Sequence, residues 1–406
     1  MYNIKFWIKV SLFNILLVAF LGLLMRYKIA FYLPFVDQKH LLHAHSHFAF
    51  IGWISQTLYV FIIQLLMNRN ADINYRPFKN ILIANLFISY GLIPAFIAQG
   101  YGAVSITLST LSILVFYIFC IKLFQALNHN KNNTFISDKW LKAALVFGIL
   151  STVGTFLLAY SMKISINQNL YLASFYFYLH FQYNGWFLFA SVGLAYQWLK
   201  NNIHNFKEDK KVFLIFLLTC IPNYFLSTLW ADLPVWLFII VVFSSILQTI
   251  AWILMVKNLL RYKSAIKTKL HKTATFLFAL VAIAYTIKIL LQLGSTIPAL
   301  SELAFGFRSI VIAYLHLILL GVFTLYFLAI FVQNNYIQIN RFAKFSLYSF
   351  VAGVFLNEFV LMVQGTASLI SVYVPHTNIY LLIVAILLFI SISGLFFSQL
   401  NKNKTH

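Results

Sequence analysis

The sequence predicts an all-α membrane protein: about twelve transmembrane helices in three pseudo-repeated four-helix arcs, with both ends in the cytoplasm. Three observations lead there. Of the 406 residues, 62% are hydrophobic, 18% aromatic and only 9% charged, and the mean hydropathy is +0.87. A soluble globular chain carries roughly 25% charged residues, so a soluble enzyme, a nucleic-acid binder and a disordered chain are all excluded. The apolar residues also fall into twelve runs, each near the ~20 residues that a helix needs to cross a bilayer. Lys and Arg, finally, are sorted by side, as retention of cationic loops on the cytoplasmic face requires.

The runs lie near 7–30, 42–67, 80–99, 102–126, 140–162, 170–199, 211–230, 234–256, 273–294, 308–333, 342–364 and 378–400. The first is too long for the apolar core of a cleaved signal and lacks a small-x-small cleavage site, so it reads as a retained helix. The separators are short and polar, and none is long enough for a soluble domain. A single transmembrane domain over 1–406 is expected, with pseudo-repeats of about 1–135, 136–270 and 271–406. With the N-terminus inside, 23 of the 29 Lys and Arg residues fall on cytoplasmic segments. Arg26, Lys28, Lys39, Lys163 and Arg308 fall outside, and Lys288 lies within the ninth run. The +21 net charge thus records topology and not a nucleic-acid partner. The partner implied is the lipid bilayer, and the expected location a bacterial inner membrane. Cys120 and Cys220 sit inside apolar runs, which excludes a disulfide framework and a CxxC metal site.

An ionisable side chain inside a membrane is costly, and its first reading is functional. His129, His204, His271 and His406 fall in loops or the tail, and His376 in an outer loop. The rest cluster in or just before runs two, six and ten: His40, His43, His45 and His47, then His180, then His316. Their surroundings repeat. His47-Phe-Ala-Phe-Ile-Gly-Trp53, His180-Phe-Gln-Tyr-Asn-Gly-Trp186 and His316-Leu-Ile-Leu-Leu-Gly-Val322 each place a glycine five residues after the histidine. The histidines are separated by 133 and 136 residues, about a third of the chain. Fixed-period self-similarity marks repeated architecture and puts the three histidines at comparable depth. On a helical wheel His45, Ala49, Gly52 and Gln56 share one face, where small residues leave room for a flat macrocycle. His40, His43 and His47 share the opposite face, at a spacing that could hold a metal ion.

Plainer roles stand beside these. A membrane histidine can simply bond a neighbouring helix, and the glycines can simply allow close packing. The His40–His47 cluster can be a polar helix start after Pro34 and Asp37. Arg308 can anchor its helix at the interface or pair with a propionate. Lys288 and Glu358 can pair with each other or serve proton movement.

Twelve helices with histidines in runs two, six and ten resemble the catalytic subunit of heme-copper oxidases. His45-Ser-His47 followed by Phe-Ala-Phe-Ile-Gly52-Trp53 is similar to the His-x-His-x4-Gly-aromatic motif of NnrS-type heme and copper proteins. The resemblance implies a b-type heme held by His45, or its neighbours His43 and His47, together with His316. It implies His180 as a copper ligand, and His45, His47, His180 and His316 as the metal-binding set. Arg308 would meet a heme propionate. The chain also departs from the pattern: Tyr314-Leu-His316 stands where His-x-His is expected, run seven has no histidine pair, and Phe48 replaces the NnrS-type glutamate. The resemblance therefore implies heme b with an incomplete copper centre, and leaves catalytic residues unassigned. The expected role is electron transfer or respiratory, nitric-oxide-related redox chemistry with an electron-donor partner. The alternative is a copper or zinc transporter, or a metal- or nitric-oxide-stress protein, using the histidines of run two.

Overall fold

The computed structural model describes residues 2–70, 73–128, 135–164, 167–301 and 307–400. His129, Lys131, Lys402, Lys404 and His406 lie outside the described residues. The described chain is helical and holds no strand. We number its principal helices α1 (Ile4–Ala30), α2 (Gln38–Arg69), α3 (Arg76–Gln99), α4 (Ala103–Asn128), α5 (Ile136–Ile164), α6 (168–202), α7 (Lys210–Cys220, continued by a 3-10 turn at Pro222–Thr228), α8 (Val235–Arg261), α9 (Lys272–Gly294), α10 (Arg308–Gln333), α11 (Arg341–Leu369) and α12 (Thr377–Ser398). A short helix, Lys263–Lys269, lies between α8 and α9.

All twelve apolar runs fall on helix, but they are not equivalent. Among the described residues, ten helices are long and apolar enough to cross a membrane, which makes this an integral multi-pass membrane protein. The seventh run is bent by 46° between Cys220 and Pro222 and counts as an eleventh only if its two pieces form one span. Proline lacks the N–H that would continue the ladder, so the break falls there. α6 is helical throughout but is not among the ten. Its middle carries His180, Gln182, Tyr183 and Asn184, and these polar residues dilute its apolar character.

Helix starts follow local chemistry. Asn3, Asp37, Asn167, Asp209 and Asn340 each accept a hydrogen bond from a backbone N–H of the first turn, which satisfies donors that have no intrahelical partner. Gly100 ends α3 at φ +56° and ψ −132°, a positive-φ conformation that glycine adopts without a Cβ clash.

The chain divides into two compact units. Met1–Ala126 and Thr324–His406 form one, which holds α1–α3, most of α4, the last part of α10, α11 and α12. There α12 packs along α1 and α11, and α2 lies against α1 and α3. Leu127–Phe323 forms the other, with α5–α9 and the first part of α10. There α5 packs on α6, and α8 on α7 and α9. α2 and α10 are the most enclosed of the ten spans: 78% and 67% of their most apolar stretches are buried, against 44% or less elsewhere.

Three helices share an irregularity. Directly after His47, His180 and His316 the backbone changes from α to π geometry, over Phe48–Ser55, Phe181–Phe187 and Leu317–Thr324. Each histidine closes an α-helical segment of 10, 13 or 9 residues. The three therefore stand at similar distances from their helix starts. π segments are rare and concentrate at functional sites.

Helix packing sets one sharp local constraint in the second unit. A Cβ on Gly154 of α5 would stand 2.6 Å from Tyr178 N and 2.8 Å from Ser174 O of α6. Backbone cannot yield as a side-chain tip can. Gly154→Ala is expected to cost about 1–3 kcal/mol through overpacking, read as a lower unfolding midpoint in detergent. Gly91→Ala in α3 meets only the end of Leu108 at 3.2 Å and should leave the midpoint nearly unchanged.

Candidate functional site

In the first unit the site is the His40–His47 turn of α2 and the π segment below it. His40, His43 and His47 all face the end of α3. His40 Nδ1 lies 3.3 Å from Ile97 O, and His43 packs against Tyr101 with ring centroids 4.5 Å apart. His47 lies against Phe96 at 4.4 Å, with Nε2 3.1 Å from Tyr101 Oη. His45 points the other way: a Cβ on Gly22 of α1 would come within 3.3 Å of its ring. The two histidine faces are thus separate, as the helical wheel predicts.

Below them the wheel fails, for a physical reason. A π turn holds more residues than an α turn, so Phe48–Ser55 shifts the phase of everything after it. Gln56, expected beneath His45, instead bonds α3: its Nε2 donates to Leu82 O (3.3 Å), and its Oε1 accepts from Asn85 Nδ2 (2.9 Å). Carbonyls along the π segment find polar side chains. Asn14 Nδ2 donates to Gly52 O at 2.5 Å, and Asn85 Nδ2 to Ile51 O at 3.2 Å. Tyr90 Oη in turn donates to Asn14 Oδ1 at 2.7 Å.

In the second unit His180 is 1% exposed, and both its ring nitrogens are occupied. Nε2 lies 2.8 Å from Cys220 O. A carbonyl only accepts, so Nε2 carries the proton. Nδ1 is then the acceptor for Asn184 Nδ2 at 3.1 Å. Cys220 is the last residue before the break at Pro222, so His180 bonds a carbonyl of the interrupted ladder. Ser244 Oγ does the same for Thr219 O at 3.3 Å, and Asn223 Nδ2 donates to Gln248 Oε1 at 2.8 Å. In this arrangement neither nitrogen of His180 offers a lone pair to a metal. His180 takes the plainer of its two expected roles, a histidine bonding a neighbouring helix.

His316 has the complementary arrangement. Its Nδ1 lies 2.9 Å from Ile312 O, four residues back. The proton therefore sits on Nδ1, leaving the Nε2 lone pair, the tautomer through which many metal-bound imidazoles ligate. None of the nine residues Arg308–His316 is fully buried. Arg308 is exposed at the start of the helix, about 12 Å from His316 along the axis and within about a quarter-turn of it.

Lys288 Nζ has no hydrogen-bond partner among the described residues, and Glu358 Oε1 accepts from its neighbour Asn357 at 3.1 Å. Among the described residues, no three His, Cys, Asp or Glu side chains come together as a group able to hold a metal ion. No family model matches the chain, and no curated protein matches it.

Sequence reasoning centred on histidines passed over the amides other than Gln56. Asn14, Gln56, Asn85, Asn184, Asn223 and Gln248 are all buried, and each is an interruption visible in an otherwise apolar run. A buried amide in a bilayer needs a partner, and that signal points to the same sites.

Asp37 sets the start of the histidine turn. Hydrogen bonds from the backbone N–H of His40 and then Lys39 hold its carboxyl below the usual carboxylate value. The cap is therefore fully formed above the ordinary carboxylate pKa and is lost as pH falls through the lowered folded value. Amide exchange at Lys39 and His40 should accelerate on acidification through that range, relative to its intrinsic pH dependence. Asp37→Ala should show fast exchange at every pH.

Proposed function

We propose that the chain is a b-type heme protein of the membrane, related to the heme-copper oxidase and NnrS-type group, which moves electrons and lacks a complete copper centre. In this reading it crosses a bacterial inner membrane twelve times, in three four-helix arcs with both ends in the cytoplasm, and takes electrons from a respiratory partner. The observation that carries the reading is the recurrence of histidine followed by a π segment in α2, α6 and α10, because π segments concentrate at functional sites. The bond between His316 Nδ1 and Ile312 O adds to it by fixing the orientation of that ring.

The residues fit a heme better than they fit copper. In α10, His316 would supply an imidazole, and Arg308 suits a propionate, because a guanidinium takes a carboxylate bidentately. In α2, His45 or its neighbours His43 and His47, which pack on Phe96 and Tyr101, would supply the other imidazole. A heme with imidazole on both sides has no open coordination position and transfers single electrons. Copper does not fit: His180 has both nitrogens engaged, and α7 offers no histidine. The transporter reading has less behind it, because His40, His43 and His47 are held by Ile97, Phe96 and Tyr101.

Protein purified from heme-supplemented cells should show a Soret band and a reduced-minus-oxidised b-type spectrum, with iron confirmed by pyridine hemochrome. His316→Ala should abolish or shift the band. His180→Ala should lower thermal stability yet leave the band in place. Purified protein without iron and without a Soret band would sink the proposal.

A further inference from the structure

In the second unit, α9 turns an uncommon face inward. Tyr285, Lys288 and Gln292 stand at i, i+3 and i+7, on one side of the helix, and are 6%, 1% and 7% exposed. Each carries a polar atom with no hydrogen-bond partner among the described residues: Tyr285 Oη, Lys288 Nζ and Gln292 Oε1. Buried polar side chains are nearly always satisfied, and those that the protein leaves alone are met by water, an ion or a ligand.

Lys288 decides which. An ammonium in a membrane needs a counter-charge, and none of its neighbours among the described residues supplies one. Its Nζ lies 5.1 Å from the Tyr285 ring centroid. His180 and Cys220 are near enough to interact with it electrostatically, but His180 is a neutral hydrogen-bonded imidazole and Cys220 a buried thiol. Trp252 packs against Tyr285 at 4.6 Å, with its own N–H already given to Thr286. Among the described residues the surroundings thus offer donors and aromatic walls without a carboxylate. Lys288 stands six residues before Gly294, the last residue of α9, about 9 Å along the axis, a short path from the helix end.

We propose that Lys288 and Tyr285 form an internal binding site for one small monovalent anion, with Gln292 between that site and the end of α9. Nζ and Oη donate to the anion, whose charge balances the ammonium. An anion of the size of chloride, nitrate or formate suits two donors less than one helical turn apart. The site is independent of the heme reading, and heme content provides a separate readout.

The test uses the full-length protein in detergent, with unfolding midpoints measured in sodium chloride, nitrate, formate and gluconate at matched pH and ionic strength. Wild type should gain stability saturably with at least one of the three small anions over gluconate, which is too large. Lys288→Met should lose that dependence and, in gluconate, be at least as stable as wild type, because it removes an unmatched buried charge. Tyr285→Phe should weaken the apparent anion affinity about tenfold, the worth of one hydrogen bond to a charged group. Heme content should be the same in all three proteins. Equal midpoints for wild type in all four salts, or an unchanged anion dependence in Lys288→Met, would overturn the proposal. If Lys288→Met does not fold, Lys288→Gln and Tyr285→Phe carry the test, and unchanged affinity in both overturns it.

Discussion

A bilayer offers no water to a backbone carbonyl, and the rest of this structure depends on that constraint. A regular α-helix meets it internally, which is why the spans are helical at all. Where the ladder changes, the carbonyls must be met from elsewhere. Asn14 and Asn85 bond Gly52 O and Ile51 O along the π segment of α2. His180 and Ser244 bond Cys220 O and Thr219 O beside the break at Pro222. The buried amides and hydroxyls are thus placed by the backbone's irregularities, and those irregularities cluster beside the histidines.

The same constraint separates the histidines into kinds. His180 caps a carbonyl on a neighbouring helix and is itself held by Asn184, so its imidazole is consumed by the fold. His47 meets a phenol and an aromatic face, a polar contact that suits packing. His316 bonds back into its own helix through Nδ1, an interaction that costs the chain little and fixes the tautomer. Three residues that look alike as His-x4-Gly in sequence therefore differ in what their nitrogens do. The glycines differ as well. A Cβ on Gly185 would meet Phe147 Cβ at 2.5 Å, whereas one on Gly321 would meet Ala284 Cβ at 3.3 Å.

Much of the helical layout was legible from hydropathy alone, because a bilayer-length apolar run has few other places to go. The bend in α7 was legible too, since Pro222 removes a donor. The π segments were not. Their residues, Phe-Ala-Phe-Ile-Gly-Trp in α2 and Leu-Ile-Leu-Leu-Gly-Val in α10, have unremarkable helical propensities, and only tertiary contacts decide between i+4 and i+5 bonding. That single local choice moved Gln56 from the predicted histidine face to α3. Periodicity arguments hold only as far as the next change of helix type.

The charged groups show where satisfaction stops. Every buried amide just named has a partner, and most were bought by the backbone's own need for donors. Lys288 is different. It lies on the regular part of α9, where the ladder is intact and no carbonyl asks for a donor, yet its Nζ has no acceptor among the described residues. A methionine or leucine would fill that volume without the solvation penalty of an ammonium. A lysine kept there serves packing poorly, and a neighbouring tyrosine with an equally unpartnered hydroxyl makes the position harder to explain by packing alone. Polar groups that the backbone recruits explain the fold, and polar groups that it leaves over point to what the fold was built to hold.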